Sequence, residues 1–478
     1  MSDNLKSKTV KGLKWSSLSQ ITRQVLQYIS TLVLVGVLPP EDFGLMSMAL
    51  IITGFLEIFK DLGTGSALIQ KESLSKKIIA SIFWLNLGFG ALIALVLYLI
   101  SPLFALIYNV KEITSILQIL SISFLIAGTS IIHKALLEKQ LYFKELSIIE
   151  LLSSFISFVI GIYLAISGYG VWSLVFQSLT YTSLNSLMLW IFSNWKPSFH
   201  FDIKDVKLLS SFSLNLTGFN IVNYFARNMD YFIIGKFLGD RPLGHYYLAY
   251  RIMLYPIQNI TWVVSRVLFP SFSRIQNDNK RFKSAYIKIT NSVALLTFPI
   301  MAGMAFLSHE FVATFFGRNW DVELVSMLIM ILAPVGALQS VISTVGNIYQ
   351  AKGRTDWMFK WSIFYSTFTI IGFFIGIRWG TIGVAYSYLI TNLILIYPVF
   401  SIPFKLIELQ PIKFFKSFAS TFFAIAIMLG ILYLSSSFIQ NLNDLSRLVI
   451  LSFVGGSVYI IISFILNRKY LLELKLFF

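Results

Sequence analysis

The chain has 478 residues, 56% hydrophobic and only 13% charged, with 44 Phe, no Cys and a formal net charge of +16. Soluble chains carry about 25% charged residues, and here the apolar residues gather in stretches near or above the roughly 20 needed to cross a bilayer. A water-soluble globule, a disulfide-stapled secreted domain and a disordered chain are thereby excluded. In chain order, the stretches that can span are 12–38, 42–61, 78–101, 112–132, 147–167, 171–192, 211–238, 243–269, 285–307, 322–349, 359–377, 381–402, 415–437 and 448–466. The pattern predicts an all-α integral membrane protein of about 14 transmembrane helices.

The basic residues are not spread evenly. Alternate connections, beginning with the N-terminal arm (Lys6, Lys8, Lys11, Lys14), hold 27 of the 38 Lys and Arg. The intervening connections hold five: Lys111, Arg241, Arg318, Arg378 and Arg447. Excess Lys/Arg stays cytoplasmic, so both termini are expected inside a multi-pass chain. The positive balance then reads as a topology signal and a contact for anionic lipid, not as a nucleic-acid footprint. The polar N-terminus runs into a full span, which argues against a cleavable signal peptide.

A repeat is visible across the chain. Val35-Gly36 through Pro40-Glu41-Asp42-Phe43-Gly44 is echoed by Ile234-Gly235 through Asp240-Arg241-Pro242-Leu243-Gly244, and Gly168-Tyr169-Gly170-Val171 by Gly380-Thr381-Ile382-Gly383-Val384. Six spans separate each pair, so matching helices run in the same direction. Two parallel six-helix halves are expected, 1–200 and 201–403, followed by an unpartnered helix pair and tail at 404–478.

Polar residues inside the spans follow helical spacing. Ser16, Gln20, Arg23, Gln27 and Ser30 share one face of the first span. Ser213, Thr217, Asn220, Asn223, Arg227 and Asp230 do so in the seventh, and Arg251, Tyr255, Gln258, Trp262 and Ser265 in the eighth. Gln339, Ser343 and Asn347 mark the tenth. Such groups are costly in lipid and either line a water-filled cavity or hydrogen-bond across helix interfaces; both readings stand. Arg23, Arg227 and Arg251 are the candidate substrate-binding cations, with Asp230 either a cavity residue or half of a buried ion pair. Lys236, Arg266 and Lys60 are secondary candidates that also suit interfacial anchoring. Three deep Arg against one deep carboxylate favour an anionic substrate, because guanidinium matches phosphate oxygens bidentately. No GxxxxGK[ST] stretch, metal-ligand spacing or nucleophile–base pair is found in the sequence, so a transporter is expected rather than an enzyme, with no cofactor or metal.

Several segments carry a resemblance. Pro39-Pro40-Glu41-Asp42-Phe43-Gly44-Leu45, Asp61-Leu62-Gly63, Ala67-Leu68-Ile69-Gln70, Arg227-Asn228-Met229-Asp230-Tyr231-Phe232-Ile233-Ile234-Gly235, Phe316-Gly317-Arg318-Asn319-Trp320 and Gln350-Ala351-Lys352-Gly353-Arg354-Thr355-Asp356 resemble the bacterial polysaccharide flippases. These are the O-antigen, colanic-acid and teichuronic-acid type exporters of the multidrug/oligosaccharidyl-lipid/polysaccharide superfamily. The resemblance implies two six-helix lobes in a V around a central cavity, plus an accessory helix pair, in the bacterial plasma membrane. It implies an oligosaccharide on undecaprenyl pyrophosphate as substrate, turned from inner to outer leaflet, with the pathway's polymerase and co-polymerase as partners. In related flippases cavity cations hold pyrophosphate; only Arg227 falls in a family motif, and Arg23 and Arg251 rest on depth and stripe. Coupling to membrane potential, H⁺ or Na⁺ stays open. So do the rival readings: a cation or drug extruder of the same superfamily, a peptidoglycan-precursor flippase, and a membrane-embedded glycosyltransferase or polymerase.

Overall fold

A computed structural model of the chain describes residues 3–60, 64–70, 75–202, 214–255, 272 and 275–468. Among them the only regular elements are helices. In order they are α1 (Asp3–Val37), α2 (Pro40–Glu57), α3 (Thr64–Gln70), α4 (Lys76–Tyr108), α5 (Glu112–Gly128), α6 (Ile131–Lys139), α7 (Phe143–Ile166), α8 (Val171–Phe192) and α9 (Leu214–Leu238). Next comes α10 (240–255). It is followed by α11 (Asn279–Phe306), α12 (Ser308–Phe315), α13 (Val322–Ile342), α14 (Gly346–Ala351), α15 (Thr355–Gly376), α16 (Gly380–Phe404), α17 (Pro411–Lys416), α18 (Ala419–Phe438) and α19 (Asp444–Leu466).

The helix boundaries have local causes. Pro40 opens α2, where a missing N–H costs nothing, and Glu41 and Asp42 in its first turn suit the positive end of the helix dipole. Side chains of Ser75, Asp278, Asp321 and Asn443 accept from backbone N–H groups at the starts of α4, α11, α13 and α19. Asn109 ends α4 in the left-handed conformation.

By length and composition alone, seven stretches among the described residues can cross a bilayer, or eight if the bent pair α5–α6 counts as one. One of the seven, Thr355–Ile407, is 53 residues long, about 80 Å if straight and far more than one crossing needs. It folds back at Ile377–Trp379, where Gly380 takes φ +71°, and α15 packs along α16. Helices α1, α2, α8 and α9 are not among the seven; α1 and α9 carry the polar faces that lower their apolarity. The outward surface is apolar, with Leu106 77% and Phe453 76% exposed, while Ser153, Ser157, Ser173, Thr290 and Asn291 are buried. That inversion suits a hydrocarbon solvent.

Packing divides the chain into two compact units, Met1–Gly244 and His245–Phe478. In the first, α4 pairs with α5, α7 with α8 and α1, and α2 with α5 and α9. In the second, α11 packs on α13, α13 on α16, and α18 on α19 and α11. Phe272, Phe282, Tyr286, Phe400, Phe404 and Phe414 form its aromatic core.

Within the first unit the two copies of the repeat meet each other. A Cβ at Gly44 would lie 1.9 Å from the Asp240 carbonyl oxygen, and a Cβ at Gly244 1.9 Å from that of Pro40. Between these contacts Arg241 pairs with Glu41 at 3.2 Å. At the repeat offset of 200, Gly44 matches Gly244, Pro40 matches Asp240 and Glu41 matches Arg241. The contact is therefore reciprocal, as a two-fold relation requires. Both glycines are needed because a side chain would collide with backbone.

Candidate phosphate-binding cations on α1, α9 and α10

In the first unit α1 lies along α7, which carries the buried small polar residues Ser147, Ser153, Ser154 and Ser157; Ser147 meets α1 and Ser153 faces Met188 of α8. Ser19 donates from Oγ to the Ser147 carbonyl at 3.4 Å. Small side chains let the backbones approach closely. On α1 Arg23 donates to Gln20 Oε1 and lies beside Tyr181 of α8. Its Nη1 lies 3.6 Å from Glu150 Oε2. The other Glu150 oxygen lies 3.7 Å from Lys134 Nζ on α6. Gln27 is half-buried, and Ser30, buried, meets Gln177 Nε2 of α8 at 3.5 Å.

Glu150 alters the charge balance expected from sequence, where Asp230 was the one deep carboxylate. It sits on α7 in the same stripe as Ser147, Ser153 and Ser157, so an acidic residue in a small-polar stripe was the available signal. Lys134, expected in a connecting loop, belongs to the same cluster.

On α9, Arg227 is exposed and Asp230 buried, so the two members of the expected pair occupy different surroundings. Asp230 Oδ1 accepts from the Tyr231 backbone N–H at 2.9 Å. Lys236 donates to the Ile107 carbonyl in the last turn of α4, the negative end of that helix, which gives it an anchoring contact. Lys60 pairs with Glu57 at 3.2 Å, one turn away. Ser16, Asn220 and Asn223 sit on α1 and α9 with side chains outside the described residues, and Gln258 and Arg266 lie outside them altogether.

In the second unit Arg251 sits twelve residues into α10 and is half-buried. Its Nη1 donates to the Tyr247 hydroxyl at 2.7 Å. The guanidinium lies 5.7 Å from the Tyr247 ring centroid and 5.8 Å from that of Tyr255. Spacing of four places all three residues on one helix face, and the rings steady the cation without neutralising it. No carboxylate pairs with Arg251 among the described residues. Sequence reasoning took Tyr255 and missed Tyr247, although i−4 is the equivalent position. The adjoining face carries a second arrangement: Tyr246, Tyr250 and Tyr388 stack at 6.1 Å spacing, and Gln339 donates to the Tyr388 hydroxyl. These amides and hydroxyls are the hydrogen-bonding partners sugars use.

No group of three or more His, Cys, Asp or Glu that could hold a metal occurs among the described residues. The segment 350–356, singled out by its resemblance, is a structural turn. Lys352 donates to the Gln276 carbonyl and, at 2.7 Å, to Asn279. Arg354 holds Asp356 with two 3.0 Å hydrogen bonds.

Comparison with known proteins places the arrangement. The fold matches the lipid II flippase MurJ, in an inward closed conformation, with TM-score 0.77 over 95% of this chain and 99% of that one, at 21% identity. An inward-facing multidrug resistance MATE family transporter of the MOP superfamily follows at TM-score 0.59, 15% identity, 80% of this chain and 94% of that one. Among sequence relatives, the teichuronic acid biosynthesis protein TuaB of Bacillus subtilis (strain 168) is 31% identical over 74% of this chain and 73% of its own length. The lipopolysaccharide biosynthesis protein WzxC of Escherichia coli (strain K12) is 28% identical over 82% and 80%. Residues 33–325 match the family described as "Polysaccharide biosynthesis protein". With more than half its length inside that match, the chain belongs to the polysaccharide biosynthesis protein family.

Proposed function

We propose that the chain is a membrane flippase for lipid-linked oligosaccharides of surface-polysaccharide biosynthesis. The observation that carries this reading is Arg251, a cation deep in a helix, steadied by two tyrosines and left without a carboxylate among the described residues. Such a group is expensive in lipid unless it meets water or an anion. Arg23 and Arg227 supply further cations. Gln20, Gln27 and Gln339, with Asn220, Asn223 and Gln258 as expected partners, offer hydrogen bonds to sugar hydroxyls. Further relatives support the substrate class, among them a succinoglycan biosynthesis transport protein of Rhizobium meliloti (strain 1021).

The finer reading has 14 spans, lobes at 1–200 and 201–403 and an accessory pair at 404–478, with both termini cytoplasmic in a bacterial inner membrane. The substrate is an oligosaccharide on undecaprenyl pyrophosphate, carried from inner to outer leaflet by alternating access, with the tail left in lipid. Polar lining removes most of the dehydration cost of the head. A diphosphate diester bears about two negative charges, so an inside-negative potential favours outward movement. The pathway's polymerase would receive the product. The MurJ likeness favours a second reading, a peptidoglycan-precursor flippase, but at 21% identity it speaks for fold, whereas the 31% and 28% relatives belong to surface-polysaccharide pathways.

Purified protein in proteoliposomes tests the reading with fluorescent undecaprenyl-pyrophosphoryl oligosaccharide. Wild type should equilibrate it between leaflets, and Arg251→Gln should slow this by about tenfold or more, the cost of one charge-assisted contact. Full activity of the variant, or transport of organic cations instead, would remove the proposal.

A further inference from the structure

Among the described residues, two ion-pair arrangements between helices differ in geometry. Arg447 Nη2 and Glu310 Oε1 meet at 2.7 Å with side-chain exposures of 24% and 8%, the short contact of a locked charge-assisted bond. Glu150 is held otherwise. Its two oxygens stand 3.6 Å from Arg23 and 3.7 Å from Lys134, and the three side chains are 26%, 29% and 48% exposed. Neither distance is that of a formed hydrogen bond. The two cations come from different helices, α1 and α6, and face a third, α7. Arg23 is further positioned by Gln20, so the guanidinium would keep its place were the carboxylate to leave. Lys134 has a second, looser neighbour in Glu138 at 4.0 Å.

We infer that Glu150 is an internal stand-in for a substrate phosphate: a diphosphate displaces it from between Arg23 and Lys134, which makes Lys134 the second cation of that site. As placed, the carboxylate reaches neither cation at bonding distance. The two phosphoryl groups of a diphosphate present oxygens farther apart and carry more charge, so they satisfy both cations better. Glu150 is exposed enough to swing into water when displaced. Its return gives the cluster a means of release. Two cations with no competing carboxylate would hold a diphosphate too long for a transporter. A carboxylate tethered beside them competes at high effective concentration and lowers the apparent affinity by the fraction of time it occupies the site. This inference rests on the proposed pyrophosphate-linked substrate and deepens it.

The test is binding of farnesyl pyrophosphate and farnesyl monophosphate to the full-length protein in nanodiscs, with turnover in proteoliposomes alongside. Glu150→Gln should bind the diphosphate about five- to tenfold more tightly than wild type while flipping more slowly, because competition is removed. Glu150→Asp, with a shorter reach, should fall between the two and serves if the Gln variant does not fold. Lys134→Gln should weaken diphosphate binding about tenfold and monophosphate binding much less, since only the longer head spans both cations. Unchanged or weaker binding in folded Glu150→Gln, or indifference of binding to Lys134→Gln, would overturn the inference. Wild-type binding that Arg23→Gln abolishes while Glu150→Gln leaves it unchanged would keep the parent reading and sink this one. Failure of wild type to bind the diphosphate would remove both.

Discussion

Arg251 and Arg447 show the same side chain serving different ends according to its neighbours. Arg251 is steadied by tyrosines, so its charge remains available. Arg251→Lys should keep the charge but lose the fork and the ring contacts, and flipping activity should fall between wild type and Arg251→Gln. Arg447 is committed to Glu310, tying α19 to α12. Removing one member of such a pair leaves a partly buried charge behind, at a cost of about 3 kcal/mol. Arg447→Gln should therefore lower the thermal stability of the detergent-solubilised protein, and Arg447→Gln with Glu310→Gln should restore part of it. The candidate site was readable to the extent that spacing reveals faces: Gln20, Arg23 and Arg251 are where a 3.6-residue period puts them. What spacing does not reveal is which helices meet. Glu150 and Lys134 belong to the Arg23 cluster only because α7 and α6 pack beside α1, and Lys236 turns to the end of α4 for the same kind of reason.

The helices themselves were legible almost throughout, because hydrocarbon demands long apolar runs with internally satisfied backbones. The breaks were less so. α5 and α6 bend by 41° at residues 129–130; Gly128 stands just before the break, but one glycine does not announce a bend of that size. The repeated hairpin motif was legible as an echo; the structure adds that its two copies touch reciprocally. This contact makes a prediction special to a chain without cysteine. Glu41→Cys with Arg241→Cys should be joined readily by a short bis-thiol cross-linker, since the flanking backbones touch and the native side chains meet at 3.2 Å. Gly44→Val in the same background should suppress it, because the added atoms would overlap the Asp240 carbonyl. Cross-linking that ignores Gly44→Val would mean that this close approach is not a feature of the protein in the membrane.

At the scale of the whole molecule, each compact unit exposes apolar side chains such as Leu106 and Phe453, and the proposed substrate must carry a charged head across lipid. If the head crosses with its two charges uncompensated, a potential of 100 mV biases the process by roughly 4–5 kcal/mol, about 10³ in leaflet ratio. Proteoliposomes with an imposed inside-negative potential should show outward accumulation of the substrate, and equal distribution at zero and at −100 mV would remove the electrical contribution. The account depends most on the arginines meeting water and an anion. Single cysteines at positions 27, 223 and 255 of this cysteine-free chain, each one turn from Arg23, Arg227 or Arg251, should react with a membrane-impermeant thiol reagent during turnover, and undecaprenyl pyrophosphate should protect them. Three unreactive positions, or labelling that the lipid diphosphate leaves unchanged, would contradict it.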